Sequence, residues 1–451
     1  MDGPGTGVEQ ISFGWGLSAA ADAEASAASA SEQAAGDSSG VTDLAFVFAS
    51  GNHAPELGSV CQVVRRRTGA RHIIGITAVS TVGGRYEVEM GSSVSVLSAS
   101  LPGVRVTPFS TEDLRALRGT MTSDRESDAA GVEDEIADAM GMDNDLRCTL
   151  LVADPFSVPV GQLLPRLDRA RRYSAAGDPI GFLAGGMASA GSSPGSNLLV
   201  LDEQTHSGGL IGVSLSGGRL RADSVVSQGC RPVGEPLVVT RAKGNLIFEL
   251  GGRPALDVAK EVLDELDEDS RRQLAGGLYL GRAVNPSKSR LGRGDFLIRR
   301  VVGVEQSSKA LAVEEIVRVG MTVGFHIRDA GTAREDLELL LDGQVLHGPP
   351  AGGLLFTCNG RGASLFDESN VDAWTTQRAF LPPDAGERAA KAGSSIDIDR
   401  SQLFPLSGMF AAGEIGAIGS QSYLHGHTAS LVLFRDEDDE NHPAGGSSPG
   451  D

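Results

Sequence analysis

The chain is punctuated by short apolar runs that stop abruptly at small or glycine residues. They read "LAFVFASG" (44–51), "HIIGITAVST" (72–81), "CTLLVADPF" (148–156), "GFLAGGMASAG" (181–191) and "GGLLFTCNGRG" (352–362). Each is too short for a buried helix and lacks the alternation of a half-exposed strand. Strands covered on both faces read this way. Between the first two runs, residues 56–68 fit a helix, and the alanine-rich stretch 17–35 is read as another, because alanine is the best helix former. Helix and strand therefore alternate, which is the order of an α/β or α+β fold. No short tandem repeat is readable, although both halves share the strand-to-glycine-loop style.

The second half follows the same grammar with more β structure. "PLVVTRAKGNLIFELGG" fits a hairpin turning at Lys243-Gly244-Asn245. "RPALDVAKEVLDEL" has helical apolar spacing, and "GDFLIRRVVGVEQSSKALAV" reads as a strand pair. "TVGFHIRDAGTAREDLELLLDG" begins as a strand and ends as an acidic helix. "HSGGLIGVSLSGG" and "RADSVVSQGCRPVG" read as adjacent β elements joined by a glycine turn. At 451 residues the chain exceeds one ordinary core. The expectation is two packed domains with layered mixed sheets covered by helices, 13–235 and 236–434. A flexible N-terminus (1–12) and an acidic disordered tail (435–451) flank them.

A net charge of −20 repels phosphate backbones and anionic lipid, so nucleic-acid and membrane partners are disfavoured. Four cysteines, Cys61, Cys148, Cys230 and Cys358, lie far apart without a CxxC, which argues for a reducing compartment and against a structural zinc site. The N-terminus lacks the basic and apolar regions of a secretory signal, and no apolar stretch reaches the length of a membrane span. A cytoplasmic protein without a cofactor is expected.

Chemistry concentrates near the C-terminus. The stretch 403–434 is mostly apolar or glycine, yet it carries Glu414, His425 and His427. "CNGRG" ends an apolar strand. Its glycines permit positive φ, its amides can form an anion nest, and Arg361 offers a fork suited to a carboxylate, or else caps its own chain's carbonyls. Glu414, His425 and His427 also suit a two-histidine, one-carboxylate metal set. Cys230 or Cys358 with His425 suits a nucleophile and base. "GVSLSGG" misses the GxSxG spacing by one position and lacks the lysine of a phosphate loop, and "GGMASAG" lacks the spaced acid of a dinucleotide fingerprint.

"FTCNGRGASLF" together with "FPLSGMFAAGEIGAIGSQSYLHGHTASLVLF" resembles the C-terminal FIST domain, and "GDFLIRRVVGVE" and "GNLIFELGGRPALDV" resemble its earlier segments. "DLAFVFASGNH", "IIGITAVSTVGG", "GFLAGGMASAG" and "SQGCRPVGEPLVVT" resemble the N-terminal FIST domain, in the right order. The resemblance covers roughly residues 13–434. It implies an intracellular, non-catalytic sensory module in signal transduction that binds a small ligand, an amino acid being one candidate. It implies a separate signalling partner or, alternatively, a substrate-recognition or scaffold role beside a ubiquitin ligase, without an F-box of its own. A cysteine-dependent enzyme is the third reading. Carried over by position, the ligand-binding residues are Cys358, Asn359, Arg361, Glu414 and His425, with Cys230 and Gln228. Arg361 would take a ligand carboxylate, Glu414 its ammonium, and Asn359 would fix orientation. The family pattern takes up His425 and leaves His427 a bystander. "GITAVSTVGG" replaces a cysteine-containing segment usual in the family.

Overall fold

The computed structural model describes residues 10–37, 40–114, 129–288, 290–383, 385 and 398–437. The chain is a two-domain α/β fold of layered mixed sheets and helices. Residues 1–9 and 438–451, to which most of the flexible start and acidic tail were assigned, lie outside the described residues. Residues 435–437, expected in the tail, are described: strand Thr428–Asp436 runs through Arg435, which is buried.

Three six-stranded sheets share one pairing pattern. In the first, strand Leu44–Ser50 lies parallel to His72–Ala78, with Val94–Ser100 and then Ser12–Ser18 added antiparallel on one side. The second places Leu146–Ala153 parallel to Leu183–Met187, with Leu210–Gly217 and Val104–Ser110 added in the same way. The third places Gly352–Cys358 parallel to Leu406–Ala411, with Thr428–Asp436 and Leu220–Gln228. A two-stranded hairpin completes the far side of each sheet, and these hairpins are exchanged. The hairpin that follows His72–Ala78 in the chain (Thr81–Gly83, Tyr86–Val88) completes the third sheet. The one after Leu183–Met187 (Leu199–Leu201, Gln204–His206) completes the first. The one after Leu406–Ala411 (Glu414–Ile418, Gln421–His425) completes the second. The chain is thus three copies of one unit, each lending its hairpin to a neighbour.

This arrangement explains the continuous apolar runs. Phe48, Leu150 and Phe356, one from the first central strand of each sheet, lie in a single core, with Phe48 and Phe356 in edge-to-face contact at 6.2 Å. The opposite face of each sheet is covered by its own helices, Ala23–Asp37 and Leu57–Thr68, Ala129–Met140 and Val160–Ala170, or Ala330–Val345 and Val371–Ala379. Strands 210–217 and 220–228 are consecutive, as read from the sequence. They do not pair with each other, however, because the turn between them passes the chain from the second sheet to the third.

The third unit carries an insertion, residues 230–328. Six antiparallel strands, among them Cys230–Lys243, Leu278–Ala283, Phe296–Glu305 and Thr322–Arg328, close on themselves when Leu246–Leu250 pairs back onto the first. The hairpin at 243–246 forms as read, with Lys243 opposite Leu246. The division proposed at 235/236 falls inside Cys230–Lys243 and so marks the entrance to this barrel; the second and third sheets both draw strands from either side of it.

The alanine-rich stretch is a helix only from Ala23, since Leu17 belongs to strand Ser12–Ser18. Ala23, Ala27, Ala30 and Ala34 are buried at helical spacing against Gly14 and Gly16. A Cβ on either glycine would lie 1.9 Å from a helix carbonyl oxygen, that of Ala34 or Ala30. A Gly16→Ala protein is therefore expected to lose at least about 1–3 kcal/mol by overpacking, read as a lowered Tm, whereas Gly36→Ala, which meets nothing, should be neutral.

Candidate functional site

The three units place a polar side chain at one equivalent position. Val47, Leu151 and Leu355 pair with Gly75, Gly185 and Gly408, and three residues beyond them stand Ser50, Asp154 and Cys358, all buried. In the first unit Ser50 Oγ accepts from the Ser93 amide at 2.8 Å, and Thr81 donates to Ser93 Oγ at 2.8 Å. In the second, Asp154 accepts from Asn197 at 3.0 Å and Ser157 at 2.7 Å. In the third, Cys358 Sγ accepts from the amides of Gly360 and His427. Glu414 stands where the first unit has Thr81, and its Oε2 accepts from Thr428 Oγ1 at 2.8 Å and the Thr428 amide at 3.2 Å. One unit thus fills these positions with hydroxyls, whereas another fills them with a thiol and a carboxylate and adds a guanidinium.

Arg361 sits one tight turn beyond Cys358, its amide donating to the Cys358 carbonyl at 2.8 Å. Gly362 follows at φ 61°, where a Cβ would meet the Glu89 carboxylate at 2.6 Å, so glycine is required. The Arg361 side chain is 1% exposed. Its fork is already engaged: Nε and Nη2 donate to Asp372 at 2.8 and 2.7 Å, and Thr357 holds the same carboxylate at 2.6 Å. The guanidinium also lies over the Phe366 ring, 5.3 Å from its centre. Nη1 has no hydrogen-bond partner among the described residues, and it lies so near Gly229 that a Cβ there would approach to 2.9 Å. The N-terminal part braces this loop. Glu87 accepts from the amides of Asn370 and Ala373 at 2.9 and 2.8 Å, and Glu89 accepts from Ala363.

The other expected residues divide. Cys230, at the mouth of the barrel, is close enough to Arg328 and Arg361 to feel both charges. Gln228 is buried, donates to the Phe296 carbonyl and leaves its Oε1 unpartnered among the described residues. Asn359 holds the loop through its amide, at 3.0 Å from the Ala411 carbonyl, while its side chain is exposed. His425 stands opposite Glu414 in the ladder of strands Glu414–Ile418 and Gln421–His425, is bound to the Gly416 carbonyl at 3.0 Å and lies near Arg299. His427 stands near Arg361 and Arg328, packed on Tyr279 at 4.5 Å with Nδ1 unpartnered among the described residues, and its φ of 64° turns it there. Sequence reading set His427 aside as a bystander and missed Asp372, Arg328 and Tyr279. The sequence offered one hint, the glycine between the two histidines, which frees the backbone to turn.

Burial sets the charges. It pushes Glu414 up to about 8, against the opposing pull of Thr428 and Arg361. Burial works against the Arg361 cation, and the bidentate Asp372 more than offsets it. His425 and His427 are driven down to about 4, first by burial, so both are neutral at pH 7. Burial lifts Cys230 and Cys358 to about 12, and Glu414 adds to the rise at Cys358. The cluster therefore holds the Arg361 and Arg328 guanidinium groups, a carboxyl that keeps its proton at neutral pH, and unreactive thiols. Such a set recognises a polar ligand better than it performs nucleophilic chemistry. Iodoacetamide should leave all four cysteines of the native protein unmodified and label them only after denaturation. Fast stoichiometric labelling of Cys358 would contradict this charge assignment.

The comparisons agree with the architecture. A FIST N domain matches residues 43–253 and a FIST C domain matches residues 255–417. The uncharacterised protein Rv0628c of Mycobacterium tuberculosis is 35% identical over 429 residues, covering 94% of this chain and 100% of the relative. The uncharacterised protein Mb0898c of Mycobacterium bovis is 34% identical over 432 residues, covering 95% and 100%. FIST domains are sensory domains of signal transduction. Among the described residues no helix is long and apolar enough to cross a membrane. With both domain models matched in order across most of its length, the chain belongs to the FIST family.

Proposed function

We propose that this protein is a non-catalytic sensor whose small ligand engages the Arg361–Glu414–Cys358 cluster, and that the ligand is an α-amino acid. One observation carries the reading. Arg361 Nη1 and Glu414 Oε1 are buried, opposite in kind and both without a hydrogen-bond partner among the described residues, whereas buried polar atoms are ordinarily satisfied. A ligand carboxylate suits Nη1, the guanidinium nitrogen that Asp372 leaves without a partner among the described residues. A ligand ammonium suits Glu414. Asn359, His425, Cys230 and Gln228 then act around this pair, with Gln228 Oε1 a further acceptor. The signal passes to a separate protein partner. A thermal-shift screen with amino acids tests the reading. At a hundredfold excess over Kd, a true ligand stabilises the fold by about 2.7 kcal/mol, a shift of a few degrees. The shift should disappear in Glu414→Gln. A screen in which no amino acid raises Tm, or in which Glu414→Gln responds like the wild type, would remove the proposal.

A further inference from the structure

The two helices that cover the third sheet enclose a second feature, lined by neither Arg361 nor Glu414. Val371, Trp374, Thr375 and Arg378 recur at i, i+3, i+4 and i+7 and so share one face of that helix. Arg334 and Glu338, one turn apart, belong to the neighbouring helix Ala330–Val345. Between them opens a cleft of about 210 Å³, closed at one end by residues 368–370. That is smaller than the 300–1,000 Å³ or so of sites for drug-sized molecules, and so fits a small metabolite.

The lining selects for charge. Arg334 and Arg378 face the cleft against one carboxylate, Glu368, in a chain whose net charge is −20. Each arginine is engaged, Arg334 by Glu368 and Arg378 by Glu338, but the four side chains are between 35% and 50% exposed. Ion pairs so exposed contribute about 0–1 kcal/mol, so an incoming carboxylate can exchange with either glutamate at little cost. The planar fork of arginine matches a carboxylate in two-point geometry. Trp374 supplies an aromatic wall, with the Arg85 guanidinium 5.6 Å from its ring centre. The closing loop is fixed beforehand. Asp367 and Asn370 both hold left-handed backbone, φ 56° and 70°, and Asn370 exchanges two hydrogen bonds with Glu87 at 2.7 and 2.9 Å.

We propose that this cleft is a second ligand site, taking a small carboxylate with a flat, apolar remainder. The two arginines receive the carboxylate, and the Trp374 wall receives the remainder. Asp372, which holds Arg361, is on the same helix, so the cleft and the buried cluster share a structural element. The cleft stands on its own observations and does not depend on the amino-acid reading.

Calorimetric titration of the full chain tests it with benzoate and indole-3-acetate, each against its uncharged amide. At least one acid should bind saturably, its amide at least about tenfold more weakly. Arg334→Gln and Arg378→Gln, changes at half-exposed positions that leave the core intact, should each weaken the acid by about tenfold. Three results would overturn the proposal: no binding of either acid, equal binding of acid and amide, or wild-type affinity in both variants. Titration with alanine reads the buried cluster separately, so loss of carboxylate binding with an intact alanine response rejects the cleft alone.

Discussion

Replacing Asp372 with alanine should cost about 3–5 kcal/mol, the largest loss expected from any single polar change in this protein. Both side chains of the Arg361–Asp372 pair are 1% exposed. Removing the carboxylate strands a guanidinium in the core with two donors unpaired, and it also orphans Thr357. The pair itself contributes much less than its breakage costs, because both ions had to be desolvated to form it. The double variant Arg361→Met/Asp372→Leu should therefore recover most of the loss. Urea denaturation at pH 7 reads both. A small effect of Asp372→Ala would mean that Arg361 reaches water or another anion when its partner is gone.

The second large effect is a fall in stability with rising pH. Glu414 and Glu87 are both raised to about 8 by burial, with Asp372 adding to the rise at Glu87. Between the ordinary carboxylate value and 8, the folded protein keeps protons that the unfolded chain has released. Stability is therefore full at the acid end of that range and is lost as pH climbs through 8. His326, His425 and His427 act in the opposite sense. Burial drives all three down to about 4, and the unfolded chain gains their protons below about 6.5. Above pH 6.5 the histidines drop out and the carboxyls alone shape the curve. From pH 6.5 to 8, Glu414 should remove about 2 kcal/mol, with Glu87 acting in the same direction. Glu414→Gln keeps the shape and removes the titration, so its curve should be flatter and its stability at pH 8 higher than that of the wild type. Parallel curves would show that Glu414 is ionised in the native state throughout.

Much of this molecule is legible in its sequence because its central strands are buried on both faces. The runs ending at Ser50, Ala153 and Cys358 announce themselves by continuous apolarity, and Lys243-Gly244-Asn245 announces its turn. The threefold repetition is not legible, for two physical reasons. Each unit's hairpin completes a neighbour's sheet, so residues that pair are far apart in the chain, and a barrel of residues 230–328 splits the third unit. A trace is visible in retrospect in the Gly-x-x-Ala at Gly75, Gly185 and Gly408, where a Cβ would meet Cys61 Sγ of the covering helix at 2.5 Å in the first unit and the Leu151 or Leu355 carbonyl of the paired strand at 1.8 or 1.9 Å in the other two. Strand Ser12–Ser18 was hidden because its glycines serve helix contact rather than strand propensity. At the site, the residue types of Arg361 and Glu414 were readable. Arg361's partner was not, because Asp372 looks like an ordinary acid in a helical first turn. The place of His427 beside Arg361 rests on one positive φ, which no apolar pattern encodes.

The central claim is that a ligand ammonium meets Glu414. Because the free protein holds Glu414 protonated at pH 7, such a ligand must expel that proton. Affinity for the amino acid found by screening should then rise by up to about tenfold per pH unit from pH 6 and level off above about 8. The heat of binding at pH 7 should also change with the ionisation enthalpy of the buffer. Glu414→Gln should bind weakly and lose both dependences. An affinity that is flat from pH 6 to 9, with the same heat in every buffer, would contradict the account.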